Sequence, residues 1–152
     1  MKRKLTYAIT TLVAGTLAVY AASVHFKGEP EITDNGTTLT FCGALAGLGN
    51  QDLTIRLTVT GFAAATCESP GGNLAPGRNK VPVTSTVTDV IRASEIKNGT
   101  VSFCETTREP RVSARAAGCP NDNWEADITD VEFDSATLTV VQGGRVVLRE
   151  TF

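Results

Sequence analysis

The stretch that decides the fold is Asp52-Leu53-Thr54-Ile55-Arg56-Leu57-Thr58-Val59-Thr60. Leu53, Ile55, Leu57 and Val59 alternate with polar residues. A period of two places these four side chains on one face of an extended strand and leaves the other face to water. The same texture, rich in Thr and Val, recurs over residues 37–42, 81–88, 100–104, 126–133, 136–141 and 145–152. Both residue types suit a pleated, half-buried surface. Pro82, near the start of 81–88, cannot donate to a ladder and marks that strand as an edge.

The punctuation agrees. Asn35-Gly36 and Asn98-Gly99 suit type I′ hairpin turns, in which both central residues have positive φ. Gly143-Gly144 does the same between the last two strands, so 136–142 and 145–152 form a terminal hairpin. Leu138, Val140, Val146, Leu148 and Phe152 then share a buried face. Asn-Gly-Thr at 35–37 and 98–100 also matches the glycosylation sequon, but the turn explains Asn-Gly without assuming a host. One phase break is visible: Ile128 is even, whereas Val131 and Phe133 are odd. A one-residue bulge near Thr129-Asp130 brings all three to the core. Residues 90–97 have room for a single helical turn. About eight short strands make an all-β fold, an antiparallel immunoglobulin-like β-sandwich with two disulfides; an up-and-down β-barrel is the alternative.

The chain begins MKRKLTYAITTLVAGTLAVYAASVHF. Lys2, Arg3 and Lys4 precede an apolar run over 5–19, and small residues follow at Ala21, Ala22 and Ser23. This is the layout of a signal peptide over 1–21, followed by one domain over 22–152; cleavage after Ser23 is the other placement. The run approaches the roughly 20 residues of a bilayer span. It is diluted by Thr6, Thr10, Thr11 and Thr16, and no basic stop-transfer cluster follows. The expectation is a secreted protein, extracellular or periplasmic, with no stable membrane insertion after cleavage. No Cys lies near the cleavage site to carry a lipid.

Composition narrows the chemistry. The chain has 152 residues, 41% hydrophobic and 20% charged, enough for one ordinary domain. Its net charge is −2; removing Lys2, Arg3 and Lys4 leaves 11 basic against 16 acidic residues. An acidic chain with pI near 5.4 lacks the basic surplus of a nucleic-acid binder. One His excludes a multi-His metal site. Cys42, Cys67, Cys104 and Cys119 are even in number, lack C-x-x-C spacing, and in an oxidising compartment form two disulfides. A catalytic Cys or Ser would need His25 as its base, and His25 lies in the expected frayed mature N-terminus. Two long segments, 68–80 and 105–123, resist strand assignment. If Cys67 pairs with Cys119, each ties the other at its base, and Cys42 pairs with Cys104. That is one of three connectivities, and spacing does not choose among them.

The series Cys42, Ala46-Gly47-Leu48-Gly49-Asn50, Cys67-x-x-x-Gly71-Gly72-Asn73, Asn79-Lys80, Asn98-Gly99 and Cys119-Pro120, ending in Val131-x-Phe133 and Ala136-Thr-Leu-Thr-Val140, resembles a group of small secreted microbial β-rich proteins with no settled function. The likeness covers most of 25–142. It implies a Cys67–Cys119 pairing, a β-rich fold and export. It carries over no catalytic residue.

Several candidate chemistries remain to be weighed. Asp122, Glu125 and Asp127, with Asn121, Asn123, Asp130, Glu132 and Asp134 nearby, offer oxygens of the kind calcium takes, but no EF-hand spacing. Glu132 and Asp134 read more simply as the wet face of a strand. Paired carboxylates also run glycoside hydrolysis. Yet Trp124 is the one Trp, and both Tyr lie in the signal peptide, a poor aromatic supply for a sugar platform. Residues 43–50 are Gly-rich but lack the Lys-Ser/Thr of a phosphate loop, and read as a connection between strands. Arg108, Arg111 and Arg115 suit an anionic partner or their acidic neighbours. Together with Gly71, Gly72, Asn73, Arg78 and Trp124 they form the candidate interaction loops. The expected function is a non-catalytic binding or surface-interaction module for an extracellular ligand or protein, with no cofactor. A small hydrolase or calcium-binding protein using 122–134, and a self-associating envelope protein, are the alternatives.

Overall fold

The computed structural model describes residues 23–152; the expected signal peptide lies outside the described residues. Nine strands follow in order: β1 (His25–Phe26), β2 (Glu31–Asp34), β3 (Leu39–Ala46), β4 (Leu53–Glu68), β5 (Leu74–Pro76), β6 (Val81–Ile91), β7 (Val101–Thr106), β8 (Glu125–Gln142) and β9 (Arg145–Thr151). A single 3-10 turn at Ala93–Glu95 falls within 90–97, and one α-helical turn, α1 (Ala114–Ala117), precedes β8. All ladders are antiparallel and divide between two sheets. In the smaller, β1 and β2 share one edge of β3 and β7 takes the other. In the larger, β5 and β6 share one edge of β4, while β8 and then β9 lie on the other. As Pro82 indicated, β6 is an edge strand.

The opening stretch is the first half of a longer strand. The alternation of β4 runs unbroken over 16 residues to Glu68. Leu53, Ile55, Leu57 and Val59 are fully buried, or nearly so, against Leu39, Phe41, Leu45, Val101 and Phe103 of the smaller sheet. Each contributes roughly 1.5–3 kcal/mol by leaving water. In the second half the inward residues shrink to Gly61, Ala63, Ala65 and Cys67. Here the cover is not a sheet but the segment after β7, whose α1 buries Ala114 and Ala117 and touches both β4 and β8. Small residues on both sides permit that close approach.

The stretches 126–133 and 136–141 are one continuous strand, the 18-residue β8. The expected bulge is present: Ala64 opposes Asp130 and Ala65 opposes Ile128, so Thr129 is unopposed. A second bulge, not anticipated, leaves Asp134 unopposed between Ser135, paired with Thr60, and Phe133, paired with Gly61. The two bulges switch the inward phase from Ala126 and Ile128 to Val131 and Phe133, then back to Ala136, Leu138 and Val140. Gly61 makes the second bulge possible. A Cβ there would lie 2.5 Å from the Glu132 carbonyl oxygen. Gly61→Ala is therefore expected to lose roughly 1–3 kcal/mol through backbone displacement, read as a lowered urea midpoint. An unchanged midpoint would show that the approach is not restrictive.

Four expectations are corrected. The terminal hairpin has the expected turn, with φ of 59° at Gly143 and 74° at Gly144. However, a bulge leaves Val147 unopposed, because Val140 pairs with Leu148 and Val141 with Val146. Val147 and Leu148 pack on the core, and Val146 turns outward at 60% exposure. Asn98-Gly99 is a type I′ turn, with φ of 51° and 70°. Asn35-Gly36 is not, since only Gly36 has positive φ. The last pair is Asp34 with Leu39, so a wider loop joins β2 to β3, and the Asp34 carboxylate accepts from the Gly36 N–H. Gly43 to Ala46 continue β3 rather than forming a connection. The segment around His25, expected to be frayed, is docked: His25 and Phe26 pair with Ala46 and Leu45.

Candidate functional site

Cys67 lies one residue before the end of β4, and Cys119 lies just beyond α1. They are bonded, with Cα atoms 5.7 Å apart. Cys42 is bonded to Cys104, its direct partner across β3 and β7. The first bridge joins the two long loops, and backbone bonds complete the joint. Asn79 donates through its N–H to Ala117 O and through Nδ2 to Ala116 O, both at 3.1 Å. Gly77 donates to Ala65 O at 2.8 Å. A Cβ on Gly77 would lie 2.8 Å from that oxygen and 3.0 Å from Ala117 O, so only Gly threads this gap. α1 is capped at both ends: the Ser113 hydroxyl accepts from the Ala116 N–H, and Gly118 closes it in the left-handed conformation.

The strap from Thr107 to Cys119 is anchored at its start as well. Thr107 and Leu39 exchange two bonds, both 2.9 Å, and Ser85 Oγ donates to Arg108 O at 2.7 Å. Between these anchors the strap stands off the sheet. It leaves a groove of about 460 Å³ lined by Glu109, Pro110, Arg111, Val112 and Ala114 on one side and by Trp124, Glu125, Ala126, Asp127 and Ile128 on the other. Of the candidate loop residues, Arg111 and Trp124 meet here.

The others are placed elsewhere. Gly71, Gly72 and Asn73 form an exposed, self-contained turn, with Ser69 and Asn73 bonded through backbone and hydroxyl. A separate hollow lies at its base, lined by Glu68, Ser69, Pro70, Asn123 and Glu125. Arg78 is exposed, and its Cβ lies against Gly118. Arg108 is exposed at the start of the strap. Arg115 pairs with Asp122 at 3.4 Å, a highly exposed pair worth little to stability. Glu125 and Asp127 lie on β8 and line the groove. Among the described residues no three His, Cys, Asp or Glu side chains come together as a metal-holding set.

Acidic residues line the outward face of the N-terminal half of β8, beside the end of β4. Glu68 opposes Glu125, followed by Asp127, Asp130 and Glu132 on the same face. Lys80 reaches Glu132 at 2.5 Å. Their hydrogen bond and opposite charges lower the Glu132 pKa and raise that of Lys80.

Sequence reading missed Glu105, an inward position on β7 and one of few buried polar residues. Burial, then the charge of Asp89 on β6 and a hydrogen bond to it, raise its pKa above the ordinary 4.5. A carboxyl whose pKa rises on folding holds its proton more tightly in the folded state. Its contribution to stability is complete below the ordinary value and is lost as pH rises through the raised one. Glu105→Gln keeps the shape and removes the charge. It is expected to raise Tm by a few degrees at neutral pH and to flatten the loss of stability as pH rises from about 4.5. Parallel pH–Tm series check this, and an unchanged slope counts against it.

No family model matches the chain, and no curated protein matches it. Among solved structures it is similar to a Bacteroides uniformis beta-glucuronidase at 12% identity and a TM-score of 0.31, over 85% of this chain and 12% of that one. The chain thus spans a small part of that protein, and at such a score the likeness carries no weight on fold or chemistry.

Proposed function

We propose that the protein is a secreted, non-catalytic binding module on an immunoglobulin-like sandwich, and that its ligand lies in the groove beside Trp124. The observation that carries this is the strap. It is bonded to both sheets at one end and to Cys67 at the other, so the groove exists before any ligand arrives. A preformed concave site avoids the cost of ordering its walls on binding. Trp124 offers an apolar ring beside Arg111 and Glu109, an arrangement suited to an amphipathic ligand. Secretion is supported by the two disulfides, which persist in oxidising compartments. No helix of the described residues is long and apolar enough to cross a membrane.

Trp124 is the one Trp of the chain, so intrinsic fluorescence reports on this groove alone. Titration with simple glycans and with extracts of the culture surface is expected to shift its emission saturably. Arg111→Ala is expected to weaken that response about tenfold or more. A ligand that binds without moving the emission, and that binds Arg111→Ala and Trp124→Ala variants undiminished, would place the site elsewhere.

A further inference from the structure

The outer face of the larger sheet has no cover among the described residues. Its composition changes abruptly along the strands. Over the first half of β4 the outward positions are Thr54, Arg56, Thr58 and Thr60, flanked by Thr84, Thr86 and Thr88 of β6 and by Thr137 and Thr139 of β8. Hydroxyls bond across strands here, Thr58 with Thr86 at 3.1 Å and Thr137 with Thr151 at 2.9 Å. The cations of this half are Arg56 and Arg149, which line one shallow hollow with Val146. Among the described residues the one carboxylate on this half is that of the bulge residue Asp134, at the boundary with the other half, where it accepts from the Thr60 hydroxyl. The other half carries the acidic ladder from Glu68 to Glu132, of which Lys80 neutralises only one member. Exposed apolar side chains gather on the same face. Of six large ones among the described residues, Phe62, Leu74, Val90 and Val146 point outward here, at 43%, 69%, 56% and 60% exposure.

We infer that this face binds a second copy of the chain, the two larger sheets stacked outer face to outer face with their β4 strands antiparallel. The charge layout selects the partner. A copy turned end for end sets Arg56 and Arg149 over the other chain's Glu125 and Asp127, twice by symmetry. Parallel stacking would set carboxylate on carboxylate. The acid excess leaves the contact weak and sensitive to salt. The size fits: a strand of 16 residues at about 3.3 Å each, in a sheet four strands wide at about 4.8 Å, presents roughly 1,000 Å². A stable interface needs about 800 Å² per partner. Apolar contacts at Phe62, Leu74, Val90 and Val146 supply attraction, and the charges set the direction.

Sedimentation velocity of the purified protein over a wide concentration range tests this. A dimer weakened by salt is expected. R56E/R149E and E125K/D127K should each dimerise about 100-fold more weakly than wild type, because each alone faces like charge. Mixing the two should restore the dimer, since every contact is then complementary. Restoration also shows that both variants are folded. A protein that is monomeric throughout, or a dimer that R56E/R149E leaves unchanged, overturns the inference, as does a mixture no tighter than its components.

Discussion

Replacing Cys67 and Cys119 together with alanine is expected to lower stability by about 4 kcal/mol, from the loss of a cross-link between residues 52 apart. The loss should also be felt at the groove. The inner face of β4 near Cys67 offers only Gly61, Ala63 and Ala65, side chains too small to hold the strap by burial. Without the disulfide, α1 is held chiefly by Ala114, Ala117 and the bonds from Asn79. Trp124 emission should therefore shift to the red in the folded protein. The matching change at Cys42 and Cys104, 62 residues apart, removes a cross-link of similar entropic worth. That bridge ties two strands already paired at that position, so Trp124 emission should stay as in the wild type. Urea melts followed by fluorescence separate the two cases. Equal emission in both variants would mean that the disulfide does not hold the strap.

Phe41→Ala is expected to cost about 3–5 kcal/mol. Phe41 is fully buried, and its ring lies 6.0 Å from Phe26, 6.1 Å from Phe103 and 5.2 Å from Phe152. Phe26 belongs to β1, and Phe152 follows directly on β9. One ring therefore fastens β1 and the end of β9, and its removal leaves a cavity and three broken aromatic contacts. Hydrogen exchange should quicken at Phe152, whose N–H donates to Ala136 O. Phe152→Ala, already 42% exposed in the wild type, should cost less. A Phe41→Ala loss below about 1 kcal/mol would show that the cluster is not central.

The parts of the fold legible in the sequence are those that local chemistry decides. Alternation at Leu53, Ile55, Leu57 and Val59 reveals β4, and its small inward residues merely hide how far it continues. Asn98-Gly99 and Gly143-Gly144 announce their turns because positive φ favours such residues. Asn35-Gly36 misleads because the same pair also fits a wider loop when a carboxylate, here Asp34, accepts the turn N–H. The bulge at Thr129 shows as a phase break between apolar residues. That at Asp134 was equally visible, since Phe133 is odd and Leu138 even, but a pause between two strands explained the break as well. The bulge at Val147 has no such signal, because Val146 and Val147 are equally apolar. The groove was not legible, because it depends on where the strap crosses the sheet. Trp124 and Arg111 were named individually, and only the tertiary path brings them together. The sorting of charge on the outer face was hidden for the same reason: Arg56 and Arg149 lie far apart in the chain and become neighbours only through β8.

The pairing of β4 with β8 has a kinetic side. Its outermost partners, Leu53 with Gln142 and Glu68 with Glu125, are 89 and 57 residues apart in the chain. Most of the ladder thus closes long loops, and topologies of this kind fold in milliseconds to seconds rather than microseconds. β6 follows β4 closely, Ala63 pairing with Val81, so this hairpin is ready before β8 during synthesis. Until β8 emerges, the other edge of β4 stands open: a long row of unpaired amides beside a hydrophobic face. That nascent hairpin is the species most exposed to mispairing. Both disulfides can close before β8 is complete, since Cys119 precedes it. Oxidation of the Cys67–Cys119 pair would then bring the start of β8 to the end of β4, leaving the ladder to zip from Glu68 toward Leu53.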